Sequence, residues 1–260
     1  MCKFFSLVSN GKGKPYYFDY TIREKILNKE LNYESDSHTS IADFFGFKGA
    51  LEDTLNKYEY NPLTKVFTTD AINAKEENKK LDDSQEIEKF CNELDFKMIV
   101  PKLKIQKIIN PFQDKKITKI TRADLILLKD WDSVRDSTGD SFRDSTGDSF
   151  RDSVWDSVRD SVWASVWASV WDSVRDLVWV SVWDSARDSV WASVWASVWA
   201  YASDFIDIKY KYDFLPMIKL WKKGIVPSFD GKVWRMHGHK GKIIWEGKQE
   251  GIFLSAPVLL

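Results

Sequence analysis

The chain has 260 residues, of which 43% are hydrophobic and 30% charged, and its formal net charge at pH 7 is −1. This balance is typical of a soluble globular protein with one or two hydrophobic cores. Two cysteines, Cys2 and Cys91, are too few for a disulfide framework, and no apolar run is long enough for a signal peptide or a membrane span. We therefore expect a cytoplasmic protein that has no membrane partner.

Residues 1–120 predict a small α+β domain. An apolar run at 4–8, the turn Asn10-Gly11-Lys12-Gly13 and an aromatic run at 16–18 are typical of a β-hairpin. A second hairpin is predicted around Asn61-Pro62-Leu63-Thr64. Hydrophobic spacing predicts helices at 21–31, 37–45 and 84–94 and two short strands at 98–100 and 103–109.

Residues 121–131 predict a short helix that begins at Thr121-Arg122-Ala123-Asp124 and has an apolar face formed by Leu125, Leu128 and Trp131. Residues 200–260 predict a second helix at 214–221 and a hairpin of 233–237 with 243–245. Because these two segments flank a long repeat, we expect them to cover its ends as N-terminal and C-terminal caps.

Residues 132–199 read as seventeen copies of a four-residue unit, Asp/Ala-Ser-Val-Trp/Arg. The second site is Ser in every copy except Leu177, and the third is Val in twelve of the seventeen copies. The fourth site exchanges Trp, Arg and Gly. A site that accepts all three cannot lie in a tightly packed interior, and the Asp of the first site must face outward because a buried unpaired carboxylate is costly. Ser and Val are therefore predicted to face inward, with Val158, Val162 and Val166 among the buried residues.

The period of four favours a β-solenoid for residues 132–199. In an α-helix four residues turn the chain through about 400°, so each row of identical residues would drift by about 40° per unit. Ser, Val, Trp and Asp are also modest helix formers, and single strands rarely exceed about ten residues. We predict a mainly β fold, a short-sided β-solenoid of about 17 units with an α+β flanking domain and helical caps. The alternative is long α-helices through the repeat.

Units such as Asp160-Ser161-Val162-Trp163 and Ala164-Ser165-Val166-Trp167 resemble those of bacterial and phage tetrapeptide-repeat β-helices, which share their architecture with pentapeptide-repeat proteins. The flanks, with Tyr58-Glu59-Tyr60-Asn61-Pro62-Leu63-Thr64 and Pro227-Ser228-Phe229-Asp230-Gly231, are similar to phage-type proteins, a likeness that implies no chemistry. Some pentapeptide-repeat proteins bind DNA gyrase by imitating duplex DNA. The resemblance thus implies a DNA mimic that binds a DNA-binding protein such as gyrase.

Three groups of residues could carry chemistry, and each has a simpler explanation. Cys2 would become an N-terminal nucleophile if Met1 were removed, but a buried residue on the first strand accounts for it. His237 and His239 could bind a metal, yet no third ligand has a recognisable spacing, and an exposed turn is expected instead. Asp36-Ser37-His38 contains the triad residue types, but a capped helix start explains it better. We predict no catalytic residue, no metal and no cofactor.

The tryptophans at the fourth site form the candidate partner-binding surface, because exposed apolar patches usually mark interfaces. There are nine of them: Trp155, Trp163, Trp167, Trp171, Trp179, Trp183, Trp191, Trp195 and Trp199. Residues 131–200 also hold twelve Asp against six Arg, whereas the ends of the chain are neutral or basic. The predicted acidic face comprises Asp132, Asp136, Asp140, Asp144, Asp148, Asp152, Asp156 and Asp160.

The leading hypothesis is a non-enzymatic binding or scaffold protein whose acidic, Trp-rich repeat contacts a protein partner. The simplest partner is a second copy of the chain in a symmetric homodimer, since one patch on two copies can bury itself. Direct nucleic-acid binding is not expected, because the charge of the whole chain is not basic. The alternative is an enzyme of unknown reaction in the N-terminal domain, with the repeat as a spacer or an oligomerisation arm.

Overall fold

The structure is a computed structural model that describes residues 5–100, 102–138, 156–181, 187–207, 210 and 212–248. The chain divides into two compact units. The first comprises Met1–Lys107 with Arg151–Ser165, and the second comprises Ile108–Phe150 with Val166–Leu260.

The first unit is built on a four-stranded antiparallel sheet in the order β2-β1-β3-β4. Its elements in chain order are β1 (Phe5–Ser9), β2 (Pro15–Tyr16), α1 (Tyr20–Leu27), α2 (His38–Phe44), β3 (Asn56–Asn61), β4 (Val66–Ala71), a ribbon of β5 (Lys75–Glu76) and β6 (Lys79–Lys80), and α3 (Ser84–Glu93). Both predicted hairpins are confirmed, since β1 pairs with β2 and β3 pairs with β4. The strands predicted at 98–100 and 103–109 are wrong, because Phe96–Met98 is a 3-10 helix and the described residues between it and Arg122 hold no strand.

The core of the first unit lies where α2 packs against β1. Val8, Phe18, Ile41, Ala42 and Leu55 are almost fully buried there, and burial of each large apolar side chain contributes about 1.5–3 kcal/mol. Local signals position the helices around this core. The Ser37 side chain accepts a hydrogen bond from the Ser40 N–H at 3.3 Å, which confirms the predicted capped start of α2.

The second unit contains α4 (Arg122–Thr138), most of α5 (Asp156–Ser181), α6 (Arg187–Ala202) and α7 (Leu215–Lys223), followed by a three-stranded antiparallel sheet of β7 (Val226–Phe229), β8 (Val233–His237) and β9 (Ile243–Lys248). The predicted start of α4 is confirmed, because the Asp124 carboxylate accepts hydrogen bonds from the Thr121 N–H and hydroxyl, both at 2.7 Å. The helix predicted at 214–221 and the final hairpin are also present.

Buried aromatic side chains join the helices of the second unit. The rings of Tyr201 and Trp221 stack with centroids 5.0 Å apart. The backbone of Ile109 satisfies the polar atoms of both, since its N–H donates to Tyr201 Oη at 2.8 Å and its carbonyl accepts from Trp221 Nε1 at 2.9 Å. Buried Trp and Tyr normally have such partners. The segment before α4 is therefore fixed to α6 and α7 by hydrogen bonds as well as by packing.

The mainly β fold and the β-solenoid predicted for residues 132–199 are wrong. Where the structure describes this segment, it is α-helical, in the last turns of α4 and in α5 and α6. This agrees with the alternative prediction of long α-helices. The segment 121–131 is accordingly the first part of α4 and not the cap of a solenoid. The fold implied by the resemblance to tetrapeptide-repeat β-helices is wrong for the same reason.

Two physical reasons explain the helix. Propensity differences of about 0.5 kcal/mol per residue are a weak preference that tertiary packing overrides. Serine hydroxyls, which can compete with helical hydrogen bonds, are turned back onto the helix instead. Ser173 Oγ donates to Val170 O at 3.0 Å, and Ser197 Oγ donates to Ser193 O at 2.9 Å.

Candidate interaction surface on the repeat helices

The Val of the repeat forms the buried side of α5 and α6. The valines at 162, 166, 170, 174 and 178 in α5, and at 190, 194 and 198 in α6, are all 3% exposed or less. Their row drifts by about 40° per unit, so five successive valines cover about 160° of the helix. Val162 and Val166 are therefore buried as predicted, but on a helix rather than along a solenoid axis. The side chain of Val158 lies outside the described residues.

The Ser of the repeat supplies hydroxyls that form hydrogen bonds with flanking segments. In the first unit, Asn61 Nδ2 donates to Ser165 Oγ at 2.7 Å. In the second unit, Asn110 Nδ2 donates to Ser173 Oγ at 2.6 Å, and another hydroxyl, Ser193 Oγ, accepts the backbone N–H of Phe229 at 2.9 Å. These bonds explain why a small polar residue faces inward at this site, because each one satisfies a polar group of a segment that packs on the helix.

Three Trp side chains of the second unit form a continuous stack. Trp167 and Trp171 lie one turn apart on α5 with ring centroids separated by 3.6 Å, and Trp171 meets Trp191 of α6 at 4.8 Å. Trp171 is only 7% exposed, whereas Trp191 at the end of the stack is 39% exposed. Each such aromatic pair contributes about 0.5–1.5 kcal/mol beyond area burial. The stack is thus buried at its middle ring, Trp171, and open to solvent at Trp191.

The other predicted tryptophans are distributed unevenly. Trp163, Trp195 and Trp199 are half-buried, and Trp195 and Trp199 contact each other with centroids 5.3 Å apart. The side chains of Trp155, Trp179 and Trp183 lie outside the described residues. Among the tryptophans that the structure describes, Trp191 is the most exposed, and together with Trp167 and Trp171 it defines what we call the tryptophan surface.

The predicted acidic face is not a uniform outward row. Asp132 is buried, and its Oδ1 accepts a hydrogen bond from Trp234 Nε1 at 3.1 Å, so the prediction that every Asp of the repeat faces solvent is wrong at this position. Asp172 and Asp176 are exposed, and Arg175 pairs with both, at 3.2 and 2.6 Å. The side chains of the other predicted members lie outside the described residues: Asp136, Asp140, Asp144, Asp148, Asp152, Asp156 and Asp160.

A serine and a histidine meet inside the C-terminal sheet. Ser228 Oγ lies 2.7 Å from His237 Nε2, and His237 Nδ1 lies 3.1 Å from Gly241 O. A carbonyl only accepts, so Nδ1 carries the proton and Nε2 accepts from the hydroxyl. Burial lowers the pKa of His237 to about 4, which keeps the imidazole neutral at pH 7. Both side chains are completely buried, so this nucleophile-and-base geometry is closed to substrate and serves structure.

The two histidines predicted as an exposed pair face different partners. His237 is buried, so that prediction is wrong for it, while His239 is half-buried and its Nδ1 lies 3.0 Å from Lys115 O. Among the described residues no group of three His, Cys, Asp or Glu side chains could hold a metal ion.

Asp83 lies at the centre of a hydrogen-bond network in the first unit. Its buried carboxylate accepts hydrogen bonds from Ser9 Oγ at 2.5 Å, the Gly13 N–H at 2.8 Å, Asn56 Nδ2 at 2.8 Å and Tyr58 Oη at 2.6 Å. Burial raises the pKa of Asp83, but the four hydrogen bonds outweigh it and hold the pKa below its usual value. No local motif predicts this cluster, because its members are separated by up to 74 positions.

The residues Asp36, Ser37 and His38 do not assemble as a triad. Asp36 pairs with Arg23 at 2.5 Å, Ser37 caps α2, and His38 Nε2 donates to Tyr58 O at 2.9 Å. Each side chain therefore has a separate structural role.

Neither cysteine supplies a reactive thiol within the described structure. Cys91 is buried in α3, and burial raises the pKa of its thiol to about 12, so it carries no thiolate at pH 7. Cys2 lies outside the described residues.

Comparisons with protein-family models, with curated proteins and with solved structures find no match for this chain. In the part of the chain that the structure describes, no helix is both long enough and apolar enough to cross a membrane.

Proposed function

We propose that the protein is a non-enzymatic binding protein whose repeat helices contact a protein partner through the tryptophan surface. The observation that carries this proposal is the stack of Trp167, Trp171 and Trp191, which is buried at Trp171 and exposed at Trp191. An exposed Trp that rests on a second buried Trp is held in place before any partner arrives.

This arrangement suits binding for energetic reasons. Trp is enriched among the residues that dominate the affinity of protein interfaces. A ring already fixed by stacking loses little rotamer freedom on association, so more of its burial energy appears as affinity. The repeat also exchanges Trp and Arg at the same site, and both residue types are favoured at interfaces.

The enzyme alternative finds no support among the described residues of the first unit. Asp83 is buried and has four donors, and Cys91 is a buried thiol. The DNA-mimic hypothesis loses its basis as well, because it required stacked coils that present an outward row of carboxylates, and Asp132 is buried. Binding of a protein partner is therefore the function that the described surfaces support best.

The simplest partner is a second copy of the chain, and sedimentation velocity tests it. A Trp191→Arg variant should sediment as a monomer, while the wild-type chain and an Ala192→Arg variant should sediment as dimers. Ala192 is exposed on the neighbouring position of α6, so this control adds the same charge beside the tryptophan surface. A monomer for all three proteins would contradict the homodimer.

Photo-crosslinking separates a homodimer from a foreign partner. A photoreactive residue at position 191 should crosslink to protein in cells, and one at position 169, which is exposed on α5, should not. Crosslinks to a different protein would support the binding function with a foreign partner. Equal yields at the two positions, or none at either, would refute the tryptophan surface as the interface.

A further inference from the structure

Two short segments of the second unit are bonded side by side: the loop at 111–121 and the turn between β8 and β9. The His239 N–H donates to Ile117 O at 2.8 Å, and the Lys240 N–H donates to Phe112 O at 3.3 Å. The side chain of His239 adds its contact with Lys115 O. A Cβ on Gly238 would lie 2.4 Å from Ile117 O, so only glycine allows so close an approach. The backbone thus fixes the two segments against each other.

Both segments are basic. Residues 108–123 contain three Lys and one Arg against Asp114, and residues 236–245 contain two Lys and no acidic residue. We call the five lysines the lysine patch: Lys115, Lys116, Lys119, Lys240 and Lys242. Four of them are exposed and Lys115 is half-buried.

The lysine patch has no acidic partner among the described residues. Other lysines of the same unit do have one, since Lys222 pairs with Asp204 at 2.5 Å and Lys223 with Asp124 at 2.6 Å, whereas no lysine of the patch forms an ion pair with any described residue. Five ammonium groups on two adjoining segments repel one another unless an anion binds, so the patch creates a local positive potential. It favours a partner with several closely spaced negative charges.

We propose that the lysine patch binds the phosphate backbone of nucleic acid. Lysine is depleted at protein interfaces, whereas Lys and Arg make the phosphate contacts that supply sequence-independent affinity for nucleic acid. The net charge of the whole chain predicts no direct nucleic-acid binding, but this patch is a local excess of positive charge. Binding here is independent of the tryptophan surface.

The test is fluorescence anisotropy of the full chain with labelled single-stranded and duplex oligonucleotides at several salt concentrations. If four lysines contact phosphates, raising salt from about 50 to about 200 mM lowers the binding constant about 50-fold on single strands and about 150-fold on duplex. Absence of binding at the lower salt concentration would overturn the proposal.

Two matched variants assign the binding to the patch. The patch variant changes four lysines of the patch to Gln: Lys116, Lys119, Lys240 and Lys242. The second variant changes four exposed lysines elsewhere to Gln: Lys25, Lys79, Lys80 and Lys219. The patch variant should lose at least tenfold in affinity and almost all of its salt dependence, about one unit of slope for each lysine. The second variant should keep both properties.

Two outcomes beyond absent binding overturn the inference. Equal weakening of the two variants, with circular dichroism showing that both are folded, would mean that only total charge matters. Poly-glutamate and vesicles of anionic lipid are compared with unlabelled oligonucleotide as competitors at equal charge. If either competes as well as the oligonucleotide does, the patch binds an acidic protein or a membrane surface instead.

Discussion

Replacement of Asp83 by Asn should destabilise the first unit strongly, because the carboxylate accepts four hydrogen bonds in a buried site. The amide oxygen of Asn can accept two of them, and its NH2 group would face the remaining donors. Two hydrogen bonds to a charged acceptor, each contributing about 1.5–3 kcal/mol, are therefore lost. The expected cost is about 3–6 kcal/mol, a large fraction of the stability of a typical domain.

Hydrogen exchange followed by mass spectrometry measures this change within the first unit. Peptides that cover β1 and β3 contain the partners Ser9, Asn56 and Tyr58, and they should exchange at least about a hundredfold faster in Asp83→Asn. Asp53→Asn is the control, because Asp53 is exposed and surface substitutions usually change stability by less than about 0.5 kcal/mol. Indistinguishable exchange in the two variants would refute the structural role of Asp83.

The pH dependence provides a second check on the same residue. The pKa of Asp83 is lowered on folding from an ordinary value of 3.8, so its ionised form stabilises the folded state above that value. This stabilisation is lost as the pH falls through the lowered pKa. The difference between the wild-type chain and Asp83→Asn should be constant from pH 7 to about pH 5 and should shrink below about pH 4. A difference that changes between pH 7 and pH 5 would mean that another group is responsible.

Three further predictions concern the rest of the chain. Val170→Ala should lower the free energy of unfolding, measured with urea, by about 1–2 kcal/mol, because the loss of two buried methyl groups outweighs a small gain in helix propensity. Ser169→Ala, at an exposed helical position, should raise it slightly. Equal effects would contradict the assignment of the helix faces. Because the folded pKa of His237, about 4, lies below its ordinary 6.5, stability should fall by up to about 3 kcal/mol as the pH drops from 7 to 4, and His237→Gln should remove most of that slope. In a Cys2→Ser variant, Cys91 should not react with a thiol reagent at pH 8 until denaturant is added, and rapid labelling of the native protein would show that its burial is transient.

Most of the first unit could be predicted from the sequence because its turns and helix starts depend on neighbouring residues. Asn61 is an example, since its Oδ1 accepts from the N–H groups of Leu63 and Thr64 at 3.0 and 3.2 Å. This bonding turns β3 into β4 as the Asn-Pro signal indicates. The start of α2 at Ser37 is equally local.

The repeat could not be predicted because long-range packing decides its structure. The inward placement of Val followed by elimination, because Asp and the exchangeable fourth site had to face outward, but the choice between helix and solenoid depends on what covers each successive Val. Asp132 shows the limit, since its burial requires a donor from Trp234, 102 positions later in the chain. The tryptophan surface is similar, because it depends on the contact between Trp171 of α5 and Trp191 of α6, which lie 4.8 Å apart in space but on different helices.

The serine contacts of the second unit have a consequence for how this gene can change. Tandem repeats commonly gain or lose whole units when DNA is copied, and in most proteins a four-residue insertion would replace every later contact residue by a different one. Ser173 and Ser193, which hold Asn110 and Phe229, are separated by five whole units. Gain or loss of one unit between them would bring another serine to each anchor. The chain therefore keeps a serine hydroxyl at both contacts while its length varies. A unit added within a helix changes the direction of the later residues by only about 40°.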